Sequence, residues 1–181
     1  QHSAVGRDVL VRIVEALGGT PLVLGRSERF IPVDTEAVRP EDIAAARGWA
    51  AEHGTDAIIS TDGDSDRPLL ANEAGEWLRG DRLGILCAQV LGADHVVTPV
   101  SSNTALERTG QFAHVARTRI GSPYVIAAMN AALAAGGQRV CGYEANGGFL
   151  LGSDITVDGR ALTALPTRDA VLPLLAALVA S

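Results

Sequence analysis

The chain has 181 residues, of which 47% are apolar, 20% charged and 4% aromatic, and its formal net charge is -6. That length suits one domain or two small ones, while the acidic balance and the shortage of aromatics argue against non-specific binding of nucleic acid. The longest apolar stretches fall short of a membrane span and no signal peptide is visible, so the expectation is a cytoplasmic enzyme with no membrane partner.

Residues 1–6 read as the end of a strand and the turn after it. A helix is predicted from about Arg7, with Leu10, Ile13, Val14 and Leu17 on one face and Gly18-Gly19 as its stop. Pro21-Leu22-Val23-Leu24 reads as a short strand, and residues 25–39 as a loop. Pro40 suits the first turn of a helix that runs to about His53 and ends at Gly54. Asp56 to Ser60 is short, apolar and β-branched, as in a buried strand. Residues 69–78 look like two short strands joined by a turn. A second series follows: a helix at Arg82–Leu91, a strand at Val96–Val100, a short helix at Asn103–Thr109 and a strand at Val115–Arg119. Then come a helix at Ser122–Ala135, a strand at Val140–Tyr143, the stretch Phe149–Gly152 and a last helix from about Asp169 to Val179. Strands alternating with helices predict an α/β fold: two similar three-layer α/β/α domains, 1–77 and 78–181, with mixed, mainly parallel sheets. Cys87 and Cys141 lie in apolar runs and read as buried thiols, with no metal spacing.

The stretch with the most chemistry is Thr61-Asp62-Gly63-Asp64-Ser65-Asp66-Arg67-Pro68. Asp62, Asp64 and Asp66 alternate with small residues where a predicted strand runs out into a loop. Carboxylates that close repel, and one would tend to hold a proton. A hard divalent cation removes the conflict, and Mg²⁺ prefers oxygen ligands beside a phosphate. Arg67 adds a cation suited to a phosphate oxygen. Two other readings fit the residue types. One is a solvated acidic turn. The other is an EF-hand loop, since Glu73 is twelfth from Asp62, but Arg67 stands at the sixth position where glycine is needed.

Ligands in layered α/β sheets bind beyond the carboxyl ends of strands. Glu144-Ala145-Asn146-Gly147-Gly148 follows such a strand, and Glu144 with Asn146 could grip neighbouring sugar hydroxyls; a polar turn punctuated by glycine is the alternative. Arg117 and Arg119 alternate on a strand and so point the same way, as they would also on a solvated edge strand. His2, His53, His95 and His114 show no ligand spacing. Ser101 and Ser102 have no neighbouring base, and Asn103 reads as a helix cap.

Together these residues resemble the α-D-phosphohexomutases, and within them the bacterial phosphomannomutase/phosphoglucomutase group. Asp62-Gly63-Asp64-Ser65-Asp66-Arg67 is similar to that family's D-G-D-G/S-D-R metal loop. Arg117 to Val125 is similar to the stretch that brings a basic residue into the cleft, and Tyr143-Glu144-Ala145-Asn146-Gly147-Gly148 to the sugar-specificity loop, G-E-x-S-G. The resemblance implies the second and third domains of a four-domain enzyme, with the first strand of the second domain missing. It further implies that the first domain, carrying a phosphoserine, and the fourth, clamping the substrate phosphate, lie outside this chain as its partners. By resemblance Asp62, Asp64 and Asp66 hold Mg²⁺, Arg67 and Arg119 are catalytic, and Glu144, Asn146 and Arg119 bind a hexose phosphate. Asn146 replaces the usual Ser, and Gly148 stands where some relatives carry His. Arg119 replaces a more frequent Lys, and an arginine does not readily give up its proton. A non-catalytic metal- or sugar-phosphate-binding module is the reading from a different class.

Overall fold

The computed structural model describes residues 2–157 and 159–180. Helix α1 (Arg7–Ala16) forms where the spacing of Leu10, Ile13 and Val14 predicts it, yet none of its side chains is fully buried. The strand expected at Pro21–Leu24 does not form. Leu22 and Val23 are exposed there, and strand propensity is realised only on a half-buried, pleated surface. Helix α2 (Pro40–His53) starts on its proline and stops at Gly54, whose φ of 60° makes the left-handed cap. Strands β1 (Ile58–Thr61) and β2 (Pro68–Ala71) pair antiparallel with Thr61 opposite Pro68, so residues 62–67 are a hairpin turn.

The remaining elements are α3 (Gly80–Val90), β3 (His95–Pro99), α4 (Ala105–Arg108), β4 (His114–Thr118), α5 (Ser122–Ala134) and β5 (Val140–Tyr143). They continue with β6 (Phe149–Leu151), β7 (Ile155–Val157), β8 (Arg160–Leu162), β9 (Leu165–Asp169) and α6 (Val171–Val179). A five-stranded sheet runs in the order β4-β3-β5-β6-β9. β3 is parallel to β4 and β5, and β6 is antiparallel to both β5 and β9. Four of the five strands therefore share one direction, as expected for a mainly parallel sheet.

Alternation along the strands separates two cores. Val96, Cys141, Tyr143, Phe149 and Leu151 pack with Ile85, Cys87 and Ala88 of α3 and Ala176 of α6. Val97, Val140 and Leu150 pack with Val125 and Met129 of α5 on the other face. Helices on both faces of a mainly parallel sheet make the α/β class concrete. Both cysteines are free and buried, as their setting predicts. The first segment contributes its two helices and the β1–β2 ribbon, so the parallel layering lies in residues 78–181. Leu70 of β2 joins Leu83 of α3 and Leu174 of α6, with Leu10 and Ile59 against them, and this cluster docks the ribbon on the sandwich.

Two further features depart from the sequence reading. β7, β8 and β9 were not expected. Pro166 spoils the strand signal of β9, but β9 is an edge strand, where a missing N–H is tolerated. The last helix begins at Val171, not Asp169; Asp169 closes β9 and its Oδ1 accepts the Val171 N–H at 2.8 Å. Among the described residues no helix is long and apolar enough to cross a membrane.

Candidate functional site

The hairpin turn at 62–67 is shaped by its own polar groups. Ser65 sits at φ 64°, a left-handed conformation unfavourable for a side chain. Its Oγ accepts the Gly6 N–H at 2.8 Å and the Thr61 hydroxyl at 3.0 Å. The Ser65 N–H donates to the Asp62 carbonyl at 3.2 Å, and the Arg67 N–H donates to Asp62 Oδ1 at 3.1 Å. The result brings one carboxylate oxygen from each of Asp62, Asp64 and Asp66 within 4.8 Å of one another.

Asp62 is only 3% exposed, which does not suit a solvated acidic turn. Strands flank the turn, which excludes the helix–loop–helix of an EF-hand. Burial pushes the Asp62 carboxyl above its ordinary pKa; the Arg67 amide hydrogen bond and guanidinium oppose this, and the charges of Asp64 and Asp66 reinforce it. Arg67 Nε lies 3.3 Å from Asp62 Oδ2 and 3.5 Å from Asp66 Oδ1. Neither Arg67 Nε nor Asp66 Oδ1 makes a hydrogen bond, although both atoms are buried. A buried carboxylate oxygen without a hydrogen bond, inside a cluster of three carboxylates, fits a hard divalent cation.

The second loop is also a hairpin turn, between β5 and β6, where Tyr143 pairs with Phe149. The Gly147 N–H donates to the Glu144 carbonyl and the Glu144 N–H to the Gly148 carbonyl, each at 3.0 Å. Asn146 Oδ1 accepts the Gly148 N–H at 3.0 Å. Glu144 is buried, and its Oε2 accepts the Ser122 hydroxyl at 3.0 Å. Gly80 presses the start of α3 onto this turn: a Cβ there would lie 2.4 Å from the Asn146 carbonyl carbon and the Gly147 nitrogen. Thr35 Oγ1, from the loop before α2, donates to the Asn146 carbonyl at 2.9 Å.

Arg168 of β9 joins the two turns. Its Nη2 lies 2.5 Å from Asp66 Oδ2 and its Nη1 3.7 Å from Glu144 Oε2. The structure thus brings together Asp62, Asp64, Asp66, Arg67, Glu144 and Asn146 from the sequence reading, and adds Arg168, Ser122 and Thr35. Arg168 carried only a weak signal, an Arg-Asp pair ahead of an apolar helix, and Ser122 read merely as a helix start.

The two arginines expected to act alike differ. Arg117 belongs to β4 and is spent on structure, bonding Glu107 at 2.7 Å and the carbonyls of Pro99, Ser102 and Asn103. Arg119 lies past the end of β4, exposed, with its guanidinium 5.8 Å from the centre of the Tyr124 ring. Among the described residues it pairs with no carboxylate of the site. Ser102 is buried and accepts from Thr98 at 2.8 Å; Thr104, not Asn103, takes the N-cap position of α4, and Asn103 Oδ1, one residue earlier, accepts the Ala105 N–H at 2.8 Å.

Comparison with known proteins gives concordant results. Residues 79–180 match the family model described as phosphoglucomutase/phosphomannomutase, alpha/beta/alpha domain III. A phosphomannomutase of Salmonella muenchen is 54% identical over 96% of this chain and 36% of its own length. A phosphomannomutase of Sinorhizobium fredii is 53% identical over 98% of this chain and 37% of its own length. The chain therefore spans little more than a third of these curated relatives. A phosphoglucomutase/phosphomannomutase family protein of Burkholderia thailandensis has the same fold, with a TM-score of 0.70 over 98% of this chain and 37% of that one, at 18% identity.

Proposed function

The chain belongs to the phosphoglucomutase/phosphomannomutase family, and from that premise we propose that it forms the metal seat and sugar grip of a phosphomannomutase-type enzyme. That enzyme interconverts hexose 1-phosphate and hexose 6-phosphate by way of a phosphoserine and a bisphosphorylated sugar. The observation that carries this reading is the meeting of two turns through one guanidinium, with Arg168 2.5 Å from Asp66 and 3.7 Å from Glu144. Carboxylates for a cation and a carboxylate for hydroxyls then lie on either side of one guanidinium. The match of residues 79–180 to a single family domain supports a division into units at 1–77 and 78–181.

Asp62, Asp64 and Asp66 hold Mg²⁺ in this reading. The ion, when bound, offsets negative charge on a transferring phosphoryl group. Arg67, fixed against Asp62 and Asp66, presents its remaining donors to a phosphate oxygen. Glu144 Oε2 is engaged by Ser122, so Oε1 is the acceptor turned to sugar hydroxyls; Asn146 Oδ1 is engaged by Gly148, so its amide NH₂ is the donor. Arg119 acts as an electrostatic partner of anionic oxygens and not as a base. The phosphoserine and the phosphate clamp belong to parts of the relatives' length that these residues do not span, and the 181 residues alone are inactive. A cytoplasmic setting is part of the same proposal.

Titration of the chain with mannose 1-phosphate and Mg²⁺, followed by amide NMR and by ³¹P NMR, tests this. Residues 62–67 and 144–148 should shift, with no mannose 6-phosphate formed. Shifts confined to other residues would overturn the site, and turnover would overturn the placement of the nucleophile.

A further inference from the structure

We propose that Arg168 is a positioning residue that couples occupancy of the metal seat to the state of the sugar loop. The proposal rests on the reading of the trio as a cation seat. Arg168 projects from an edge strand and spans carboxylates on two separate hairpin turns, Asp66 of the first and Glu144 of the second. A planar guanidinium can serve two carboxylates at once, whereas an ammonium is a single point of charge. Gly148 makes the route possible. A Cβ at position 148 would lie 3.0 Å from both Cγ and Cδ of Arg168, tighter than ordinary van der Waals contact. The bare backbone at 148 and the long side chain at 168 are thus one arrangement, with the stem of Arg168 lying where a side chain of the sugar loop would otherwise sit.

The guanidinium competes with a cation for Asp66. It is the closer partner of Asp66 Oδ2, while Arg67 Nε stands at Oδ1. A cation entering the seat repels Arg168 and claims oxygen from the same carboxylate. Glu144 then becomes the partner that accommodates the displaced charge. Removing the Glu144 charge leaves Arg168 to Asp66 alone and makes the cation's entry harder. The two loops exchange one guanidinium, so each senses the other.

The test is a double-mutant cycle on Mn²⁺ affinity, read from the free-ion EPR signal of the full chain. Arg168→Met alone should tighten Mn²⁺ binding. Glu144→Gln alone should weaken it by about fivefold, the scale of coupling between groups in contact. In the Arg168→Met background the effect of Glu144→Gln should fall to less than half of that, because its path to the seat is gone. A side chain that merely holds the fold would give no such non-additivity. If Arg168→Met does not fold, the cycle is repeated with Arg168→Lys, whose one ammonium cannot span both carboxylates, and the effect of Glu144→Gln should again shrink. An equal shift in both backgrounds, or none in either, overturns the coupling while leaving the seat intact. Wild-type chain that binds no Mn²⁺ overturns the seat itself, and the coupling with it.

Discussion

The sheet of residues 78–181 is covered on both faces, by α3 and α6 on one side and α5 on the other, whereas the β1–β2 ribbon of residues 1–77 leans on α3 and α6 through Leu70. α1 has no fully buried side chain, and Val5, Val9, Leu17 and Phe30 are exposed. The second segment therefore carries a core of its own, and the first owes much of its position to contacts across the boundary. Those contacts converge on the site: Thr35 to the Asn146 carbonyl, Asp66 to Arg168, Pro68 against Gly147. The carboxylates stay clustered because the sandwich holds their hairpin from outside as well as through the turn's own hydrogen bonds.

The sharpest way to break this contrast is truncation on each side of it. Phe149→Ala removes a fully buried ring from the sandwich and should cost roughly 3–5 kcal/mol. Leu17→Ala, at a residue 66% exposed, should stay within about 0.5 kcal/mol. Equal losses in chemical denaturation would erase the distinction. A smaller effect is expected where the start of α3 meets the sugar loop. Gly80→Ala drives a methyl to 2.4 Å from backbone atoms of the sugar loop, an overpacking worth about 1–3 kcal/mol. The amide resonances of residues 144–148 should move while those of α5 stay. An unshifted sugar loop would show that α3 does not position it.

The smallest expected effect concerns pH and sharpens the picture of the sandwich. Burial pushes the Asp94 carboxyl up, but hydrogen bonds from His95 and from the Gln138 and Arg139 amides outweigh it and hold the pKa below the ordinary 3.8. A carboxyl lowered on folding stabilises above its unfolded pKa and loses that contribution as pH falls through the folded value. Asp94→Asn should therefore lower the melting temperature slightly at pH 6, and the difference should narrow as pH falls below the ordinary 3.8 towards the folded value. A difference that does not narrow on acidification past the ordinary value would assign the effect to packing instead of charge.

The sequence reading recovers elements that announce themselves locally. Pro40 and Gly54 bracket α2 as their chemistry requires, Val140–Tyr143 is a strand as its apolar run implies, and the alternating Asp loop and the Glu144 turn are where the motifs place them. It misses what depends on partners. Pro21–Leu24 has strand-like residues, but Leu22 and Val23 stay exposed and no strand forms. β9 carries Pro166 and Arg168, which look like a solvated turn until the edge of a sheet is known to lie there. Arg117 and Arg119 share a parity, but β4 ends between them, at Thr118. Arg168 signals only weakly in sequence because its meaning comes from Asp66 and Glu144, each distant in sequence and close only after folding.

The central claim is that three aspartates of one hairpin turn form a seat for a divalent cation. Anomalous diffraction from a crystal of the chain grown with Mn²⁺ measures it directly. The account predicts one strong peak bonded to an oxygen of Asp62, of Asp64 and of Asp66, at about 2.0–2.2 Å as for a small octahedral cation. No peak at that turn, or a peak bonded to other residues, would contradict it.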